Sequence, residues 1–265
     1  MVAEEPGDDA VSPARMRELE LAARAIAAEW GLELGTPFRL ARYSFVAPAG
    51  SDAVLKITPA EDDESDHEAD ALELWAGEGA VRLLRRDVAR RALLAERAKP
   101  GTDISALPDD EATAIAVGLG RRLWRPAGAP FRWIGDHVTG WLDQAEREGA
   151  ELVPLARKIY ADLDVGRATL IHGDFHHHNI LRHGAGHVAI DAKAMLGEPE
   201  FDVPSFLWNP LGSTMTAERT ERRIAAFAAA GLDEARIRAW TVIRGTYLGI
   251  CDDPGDADVI RALVP

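Results

Sequence analysis

Between Ser12 and Gly31 apolar residues recur at helical spacing (Met16, Leu19, Ala23, Ile26, Trp30), with Glu and Arg on the other face. Ser12 as N-cap, Pro13 at the first helical position and Gly31 as a stop delimit a helix. From Phe38 to Thr58 the period shortens. Phe38 to Val46 alternates roughly, Pro48-Ala49-Gly50-Ser51-Asp52 is a turn signal, and Ala53 to Ile57 returns, which predicts a hairpin. An acidic run, Glu61 to Asp70, leads into a helix carrying Ala69, Leu72 and Trp75 that ends at Gly77 and Gly79. Val81 to Leu84 and Ala92 to Ala95 are two further strands, and Lys99-Pro100-Gly101-Thr102 is a linker. Beyond it the pattern predicts helices over 109–124, 134–148, 151–163, 217–230, 233–250 and 256–263, interrupted by short apolar runs at 170–171, 180–181 and 188–190. The fold class expected is α+β in two lobes: a β-rich lobe over 12–98 with an N-terminal helix, and a larger, mostly helical lobe over 99–265. Residues 1–11, acidic with Pro and Gly, read as a disordered tail.

Composition narrows the function classes. The chain has 265 residues, enough for a substantial core, and at 47% hydrophobic and 28% charged it resembles an ordinary globular protein. No apolar run reaches membrane-spanning length, and the acidic N-terminus lacks the regions of a signal peptide. The single cysteine, Cys251, excludes an internal disulfide framework and reads as a small buried thiol in a reducing cytoplasm. A formal net charge of −14 disfavours nucleic acid and suits a cationic small molecule, although the same charge also serves solubility. A monomer is expected.

The chemistry concentrates at Leu170-Ile171-His172-Gly173-Asp174-Phe175-His176-His177-His178-Asn179-Ile180-Leu181, followed after a turn by Val188-Ala189-Ile190-Asp191. The order His-x-Asp-x-x-x-x-Asn, strand, Asp matches the catalytic loop and metal-binding acid of the protein-kinase fold. Asp174 then serves the acceptor hydroxyl, and Asn179 and Asp191 supply oxygens for Mg²⁺. His172 packs and fixes the loop. Lys56, inside the apolar run Val-Leu-Lys-Ile, is the candidate phosphate-binding ammonium, and Glu68 its partner, with Glu64 or Glu73 as alternatives in the same acidic stretch. The His176-His177-His178 run, with His183 and His187 nearby, also admits a zinc site, but adjacent residues point apart and the His-x-x-x-His spacing is missing. Glu198, Glu200 and Asp202 form an acidic lip that could receive a cationic substrate, Asp202 alternatively bracing the catalytic loop. Trp133, Trp141 and Trp208 are aromatic candidates for a pocket or for core.

Taken together, Ala53-Val54-Leu55-Lys56-Ile57, His67-Glu68-Ala69-Asp70-Ala71-Leu72 with Trp75, Gly79 to Leu84, Ala92 to Arg97 with Pro100-Gly101-Thr102-Asp103, His172-Gly173-Asp174 with Asn179, and Ile190-Asp191-Ala192-Lys193 running to Asp202 and Leu207-Trp208-Asn209 resemble the aminoglycoside phosphotransferases. The branch most resembled is that of the streptomycin 6-phosphotransferases and hydroxyurea phosphotransferases. The resemblance spans about Val54 to Asn209. It implies a bilobal kinase-like fold with ATP, or GTP, between the lobes and Mg²⁺ required. It carries the phosphate lysine to Lys56, its partner to Glu68, the catalytic acid to Asp174, the metal ligands to Asn179 and Asp191, and the adenine-reading backbone to Glu96, Arg97 and Ala98. Two departures stand out: the phosphate-covering stretch Arg42 to Pro48 has no glycine, and Asp191 is followed by Ala192-Lys193 rather than Phe-Gly. The expected activity is phosphorylation of a streptomycin-like antibiotic. Other readings are a kinase of hydroxyurea or an amino sugar, a weakly catalytic pseudokinase, and a histidine-rich metallohydrolase.

Overall fold

The computed structural model describes residues 11–39, 41, 43–166 and 168–264. Apart from Val11, the tail expected at 1–11 lies outside them. The first helix, α1 (Pro13–Trp30), starts where Ser12 Oγ accepts from Arg15 N–H at 3.2 Å and stops at Gly31, whose φ of 69° lets its N–H turn back to Ala27 and Ala28. Its buried face packs Leu19, Ala23 and Ile26 onto Phe45, Leu55, Ile57 and Leu94.

Those partners belong to a four-stranded antiparallel sheet: β1 (Phe45–Ala49), β2 (Ala53–Ile57), β3 (Leu83–Asp87) and β4 (Ala92–Glu96), in the order β1-β2-β4-β3. Helix α2 (Glu68–Trp75) lies between β2 and β3 in sequence. Leu55 and Ile57 pack in the cluster beneath α1, and Leu93 and Ala95 in the cluster that contains Ala71, Leu72 and Trp75 of α2. Strand alternation therefore sends Lys56, paired in register with Leu93, toward α2.

The expected hairpin is partly corrected. None of the described residues between 38 and 44 belongs to the strand opposite β2; β1 begins at Phe45 and runs through Pro48 to Ala49, so the turn is confined to Gly50–Asp52. On its other side β1 is flanked by segment 33–38, through Gly35 N–H to Pro48 O (2.8 Å) and Phe38 N–H to Val46 O (2.9 Å). Of the glycine-free stretch from Arg42 to Pro48, Tyr43 and Ser44 precede the strand and Phe45 to Pro48 lie in it, while Leu40 and Arg42 lie outside the described residues.

Lys99 to Thr102 is also not a free linker. Strand β5 (Pro100–Asp103) pairs with β8 (Ile180–His183), which pairs with β9 (Gly186–Ala189). A third small sheet has the order β10 (Met195–Gly197), β7 (Thr169–Ile171), β6 (Arg125–Pro126). Around these pack α3 (Asp109–Leu123), α4 (Gly135–Glu148), α5 (Val153–Asp162), α6 (Val203–Trp208), α7 (Ala217–Ala229), α8 (Glu234–Tyr247) and α9 (Pro254–Ala262). A continuous apolar cluster runs from Trp75 and Leu93 through Leu119 and Leu123 to Phe175, Phe206 and Phe227, joining the β-rich and helical parts. The backbone joins them too: Ala189 N–H donates to Gly79 O at 2.8 Å and Val81 N–H to Ala189 O at 3.2 Å. Among the described residues no helix is long and apolar enough to cross a membrane.

Candidate active site

The loop between β7 and β8 is shaped by Gly173, which adopts φ +82°; a Cβ there would meet Lys193 O at 2.3 Å. Only glycine admits that approach. His172 is buried beneath the loop. Its Nδ1 accepts from Asp174 N–H (3.3 Å), which leaves the ring proton on Nε2 to donate to Ile190 O (2.9 Å). Burial holds its pKa below the ordinary 6.5 against the pull of Asp202 and Asp174. The neutral ring is thus a structural strut between the loop and the residue before Asp191.

Asp174 comes next, with its side chain 36% exposed. Asn179 Nδ2 donates to its Oδ2 at 3.1 Å and to its backbone carbonyl at 2.9 Å. His176 accepts at Nδ1 from His178 N–H (3.2 Å), so Nε2 carries the proton and faces the same Asp174 Oδ2 at 3.3 Å. Both donors converge on Oδ2, and Oδ1 is the oxygen that can take a hydroxyl. Burial alone would raise this carboxyl; the His176 bond and the charges of His176, His172 and Arg244 outweigh it and hold it well below the usual range.

Across the β8–β9 ladder, Ile190 N–H donates to Asn179 O at 3.0 Å, which sets Asp191 beside Asn179. Asp191 sits at φ 60°, a strained setting for a non-glycine residue that persists because its neighbours are bonded on both sides. Its Oδ1 pairs with Lys56 Nζ, and its side chain is 44% exposed. Lys56 Nζ also donates to Glu68 Oε2 at 2.6 Å, so Glu68 is the partner among the three glutamates considered. Burial pulls the ammonium down, but the carboxylates of Asp191 and Glu68 overcome it and raise its pKa, keeping it charged. The Lys56 charge in turn lowers Asp191.

The donor set fits a hard divalent cation. Asn179 spends its amide nitrogen on Asp174 and keeps Oδ1, while Asp191 has one oxygen beyond the one that holds Lys56. The histidines do not gather into a zinc site. His177 is buried, stacked on Phe206 at 4.0 Å and faced by Arg223, and burial holds it down to about 3. His178 faces Asp103 (2.9 Å) and His183 faces Glu96 (3.6 Å). Among the described residues no group of three His, Cys, Asp or Glu side chains is placed to hold a metal.

The acidic lip is corrected outright. Glu198, Glu200 and Asp202 are 0, 1 and 0% exposed, so none can line an open substrate cleft. Arg236 grips Glu198 through two nitrogens, at 2.9 and 2.6 Å, with Trp240 Nε1 at 2.5 Å. Glu200 accepts from Asp233 N–H at the start of α8 (2.9 Å). Asp202 accepts from His172 N–H (2.8 Å), Gly173 N–H (2.7 Å) and Trp124 Nε1 (2.8 Å), bracing the loop that carries Asp174. At the hinge, Glu96 and Arg97 donate their N–H groups to Arg82 O and Asp52 O, both at 2.8 Å, so two of the three expected backbone donors are committed to the fold. Trp141 packs on Tyr247 (5.0 Å) and on His137 (5.6 Å).

Sequence reasoning missed Arg244, which donates to Gly173 O (3.0 Å) and Phe201 O (2.7 Å) from α8. Its signal was a lone arginine inside a run of otherwise uncharged residues from Ala239 to Tyr247. It also missed His176 as the donor to Asp174, because the eye takes the three histidines as one metal-binding run.

Comparison with known sequences shows the family, and comparison with solved structures the fold. A family profile described as aminoglycoside/hydroxyurea antibiotic resistance kinase matches residues 39–252. Hydroxyurea phosphotransferase of Kitasatospora aureofaciens is 31% identical over 238 residues, covering 81% of this chain and 67% of the relative. Streptomycin 3''-kinase of Klebsiella pneumoniae is 32% identical over 206 residues, covering 72% and 76%. A solved thermostable aminoglycoside phosphotransferase mutant, in ternary complex with ADP and hygromycin B, aligns at a TM-score of 0.61 and 18% identity, covering 91% of this chain and 97% of that one.

Proposed function

The chain belongs to the aminoglycoside/hydroxyurea antibiotic resistance kinase family, and from that premise we propose that it transfers the γ-phosphoryl group of Mg²⁺-bound ATP to a hydroxyl of a small cationic aminocyclitol antibiotic of the streptomycin type. The observation that carries this reading is the convergence of Lys56, Glu68 and Asp191 in one ion-pair chain, with Asp174 and Asn179 on the loop beside it. We assign residues 12–98 to nucleotide binding and 99–265 to the catalytic loop and acceptor.

In this reading Lys56, aimed by Glu68, binds the α- and β-phosphates, and Ala98 of the hinge offers its backbone to the adenine edge. Asn179 and Asp191 hold Mg²⁺, which when bound neutralises phosphate charge. The acceptor oxygen bonds to the γ-phosphorus as the bond to the bridging oxygen breaks; that electron pair leaves with ADP, and the hydroxyl proton passes to Asp174. A carboxylate held well below its usual pKa is a weak base. It suits a loose transition state in which the hydroxyl is oriented early and loses its proton late. The Oδ2 bonds from His176 and Asn179 present Oδ1 to that hydroxyl.

Of the second reading, hydroxyurea or an amino sugar as acceptor, uncharged hydroxyurea is favoured by one specific observation: the acids at 198–202 are buried and offer a cation nothing. Coupled ADP release with Mg·ATP against streptomycin, other aminoglycosides, hydroxyurea and amino sugars, with Asp174→Asn alongside, tests both. Turnover of an aminocyclitol that is lost in the variant supports the first reading, and turnover of hydroxyurea alone supports the second. Failure to bind nucleotide even with Mg²⁺ would overturn the roles given to Lys56 and Asp191.

A further inference from the structure

Two lysines flank Asp191, and they are held very differently. Lys56 is enclosed and hydrogen-bonded to two carboxylates. Lys193, two residues beyond Asp191, has a fixed root and a loosely held tip. Its N–H donates to His172 O at 2.8 Å, and its backbone lies against Gly173, where an added Cβ would meet Lys193 Cβ at 3.0 Å. The side chain therefore springs from a point locked to the catalytic loop just before Asp174. At its tip, among the described residues, Nζ makes one hydrogen bond, to Ser65 Oγ at 3.2 Å. Asp62 and Glu64 stand 3.9 and 3.8 Å away, beyond hydrogen-bond reach. Asp62 is itself occupied with Ser65, taking its N–H at 3.3 Å and its hydroxyl at 2.9 Å. An ammonium has three donors, so two remain, on a side chain 22% exposed.

We propose that Lys193 is a further catalytic residue: its ammonium leaves the Ser65 hydroxyl to contact the transferring phosphoryl group between Asp174 and Asp191. A phosphoryl group in a loose transition state spreads charge over oxygens that Lys56, spent on Glu68 and Asp191 and serving the α- and β-phosphates, does not reach. Lys193 is a second cation, rooted on the loop that carries Asp174 and two residues beyond Asp191. Its resting contacts are weak enough to exchange for a phosphate oxygen, and it moves without disturbing the loop because its backbone stays bonded to His172. The rival role is a plain tether between segment 61–66 and the catalytic loop.

The proposal rests on the phosphotransferase reading, and the two fail differently: if that reading is wrong, the wild type itself does not bind AMP-PNP with Mg²⁺. The test compares Lys193→Met, which keeps the apolar stem, Lys193→Arg and Ser65→Ala with wild type. Calorimetry measures ADP and AMP-PNP binding in Mg²⁺, and coupled ADP release gives kcat and KM. For Lys193→Met, AMP-PNP binding weakens about tenfold while ADP binding is unchanged. Its kcat falls about 100-fold with the acceptor KM unaltered, Lys193→Arg recovers most of the loss, and Ser65→Ala behaves as wild type. Equal weakening of ADP and AMP-PNP, a kcat for Lys193→Met close to wild type, or a Ser65→Ala variant that reproduces it would each overturn the proposal in favour of the tether.

Discussion

Two acidic groups lie close together in sequence and have opposite fates in the fold. Asp174 and Asp191 are about two-fifths exposed, their oxygens shared between the protein and the cleft. Glu198, Glu200 and Asp202 are sealed, each occupied by donors from behind the cleft: Arg236 and Trp240, the α8 N-terminus, and the catalytic-loop amides. The difference is made by the elements that pack against each group. The β8–β9 hairpin ends where Asp191 meets Lys56, which Glu68 of α2 holds from its other side. The 198–202 turn is instead capped by α6 and crossed by α8, whose Arg236, Trp240 and Arg244 close over it. An acid whose oxygens are all spoken for holds a structure; an acid with an oxygen to spare can do chemistry.

That contrast breaks first at Asp174. Asp174→Asn keeps the shape of the loop and removes the oxygen proposed to take the acceptor proton, so kcat should fall by about 10³-fold, within the range for a general base. The folded state should remain, since only an exposed edge of the site changes. Coupled ADP release together with a urea melt reads both quantities. A variant that retained a tenth of its activity would remove Asp174 from the chemistry.

Glu198→Ala should show the mirror image. Removing one partner of a buried ion pair leaves Arg236 and Trp240 Nε1 facing an uncompensated gap and costs about 3 kcal/mol of stability. The effect is read as a fall in urea midpoint, with kcat and KM of the folded fraction near wild type. A loss of acceptor affinity at unchanged stability would restore the substrate lip that the burial argues against.

Asp202 joins the two groups, because it is sealed yet holds the loop that carries Asp174. In Asp202→Asn one acceptor oxygen becomes a donor, facing either the N–H of Gly173 or those of His172 and Trp124, which costs about 1–3 kcal/mol. A loop displaced by a fraction of an ångström should lower kcat about tenfold. Stability and kcat measured on the same preparation should therefore move together here, and separately in the other two variants.

Periodicity and punctuation carried most of the architecture. Ser12, Pro13 and Gly31 marked α1 to the residue, and the ends of α3 and α7 fell within one residue. The failures share a cause. The run from Phe38 to Val46 alternates like a strand, yet β1 begins at Phe45 and is flanked by segment 33–38, a pairing that no local pattern encodes. Lys99 to Thr102 has linker composition, but β8 recruits it from some 80 residues away. In the site, the order of Lys56 on β2, Glu68 on α2, Asp174 and Asn179 between β7 and β8, and Asp191 after β9 was legible because the spacing of the apolar runs fixes which element carries or precedes each. Exposure was not legible, because it depends on α8, far along the chain. Glu198 and Asp174 carry the same charge in similar surroundings of sequence, and only the packing of Trp240 and Arg236 tells them apart.

The smallest expected effect concerns pH. His172 is fully enclosed, and burial holds it neutral, below its ordinary 6.5. The unfolded chain takes up this proton as pH falls through about 6.5, and the folded chain resists. Below that point the unfolded state binds more protons, so stability drops as pH falls, by at most about 1.4 kcal/mol per pH unit for one proton. Above about pH 7 both states are neutral at this ring and the dependence vanishes. His172→Gln keeps a side chain that can donate to Ile190 O and lacks the titration, so its urea midpoint should fall less between pH 7 and pH 5 than that of wild type, from a lower starting value. Parallel profiles for the two proteins would mean that His172 takes up its proton in the folded state. The charge of Asp202, sealed behind the loop, would then be spent on the ring as well as on the amides of His172 and Gly173, and the division between holding acids and working acids would run through Asp202 itself.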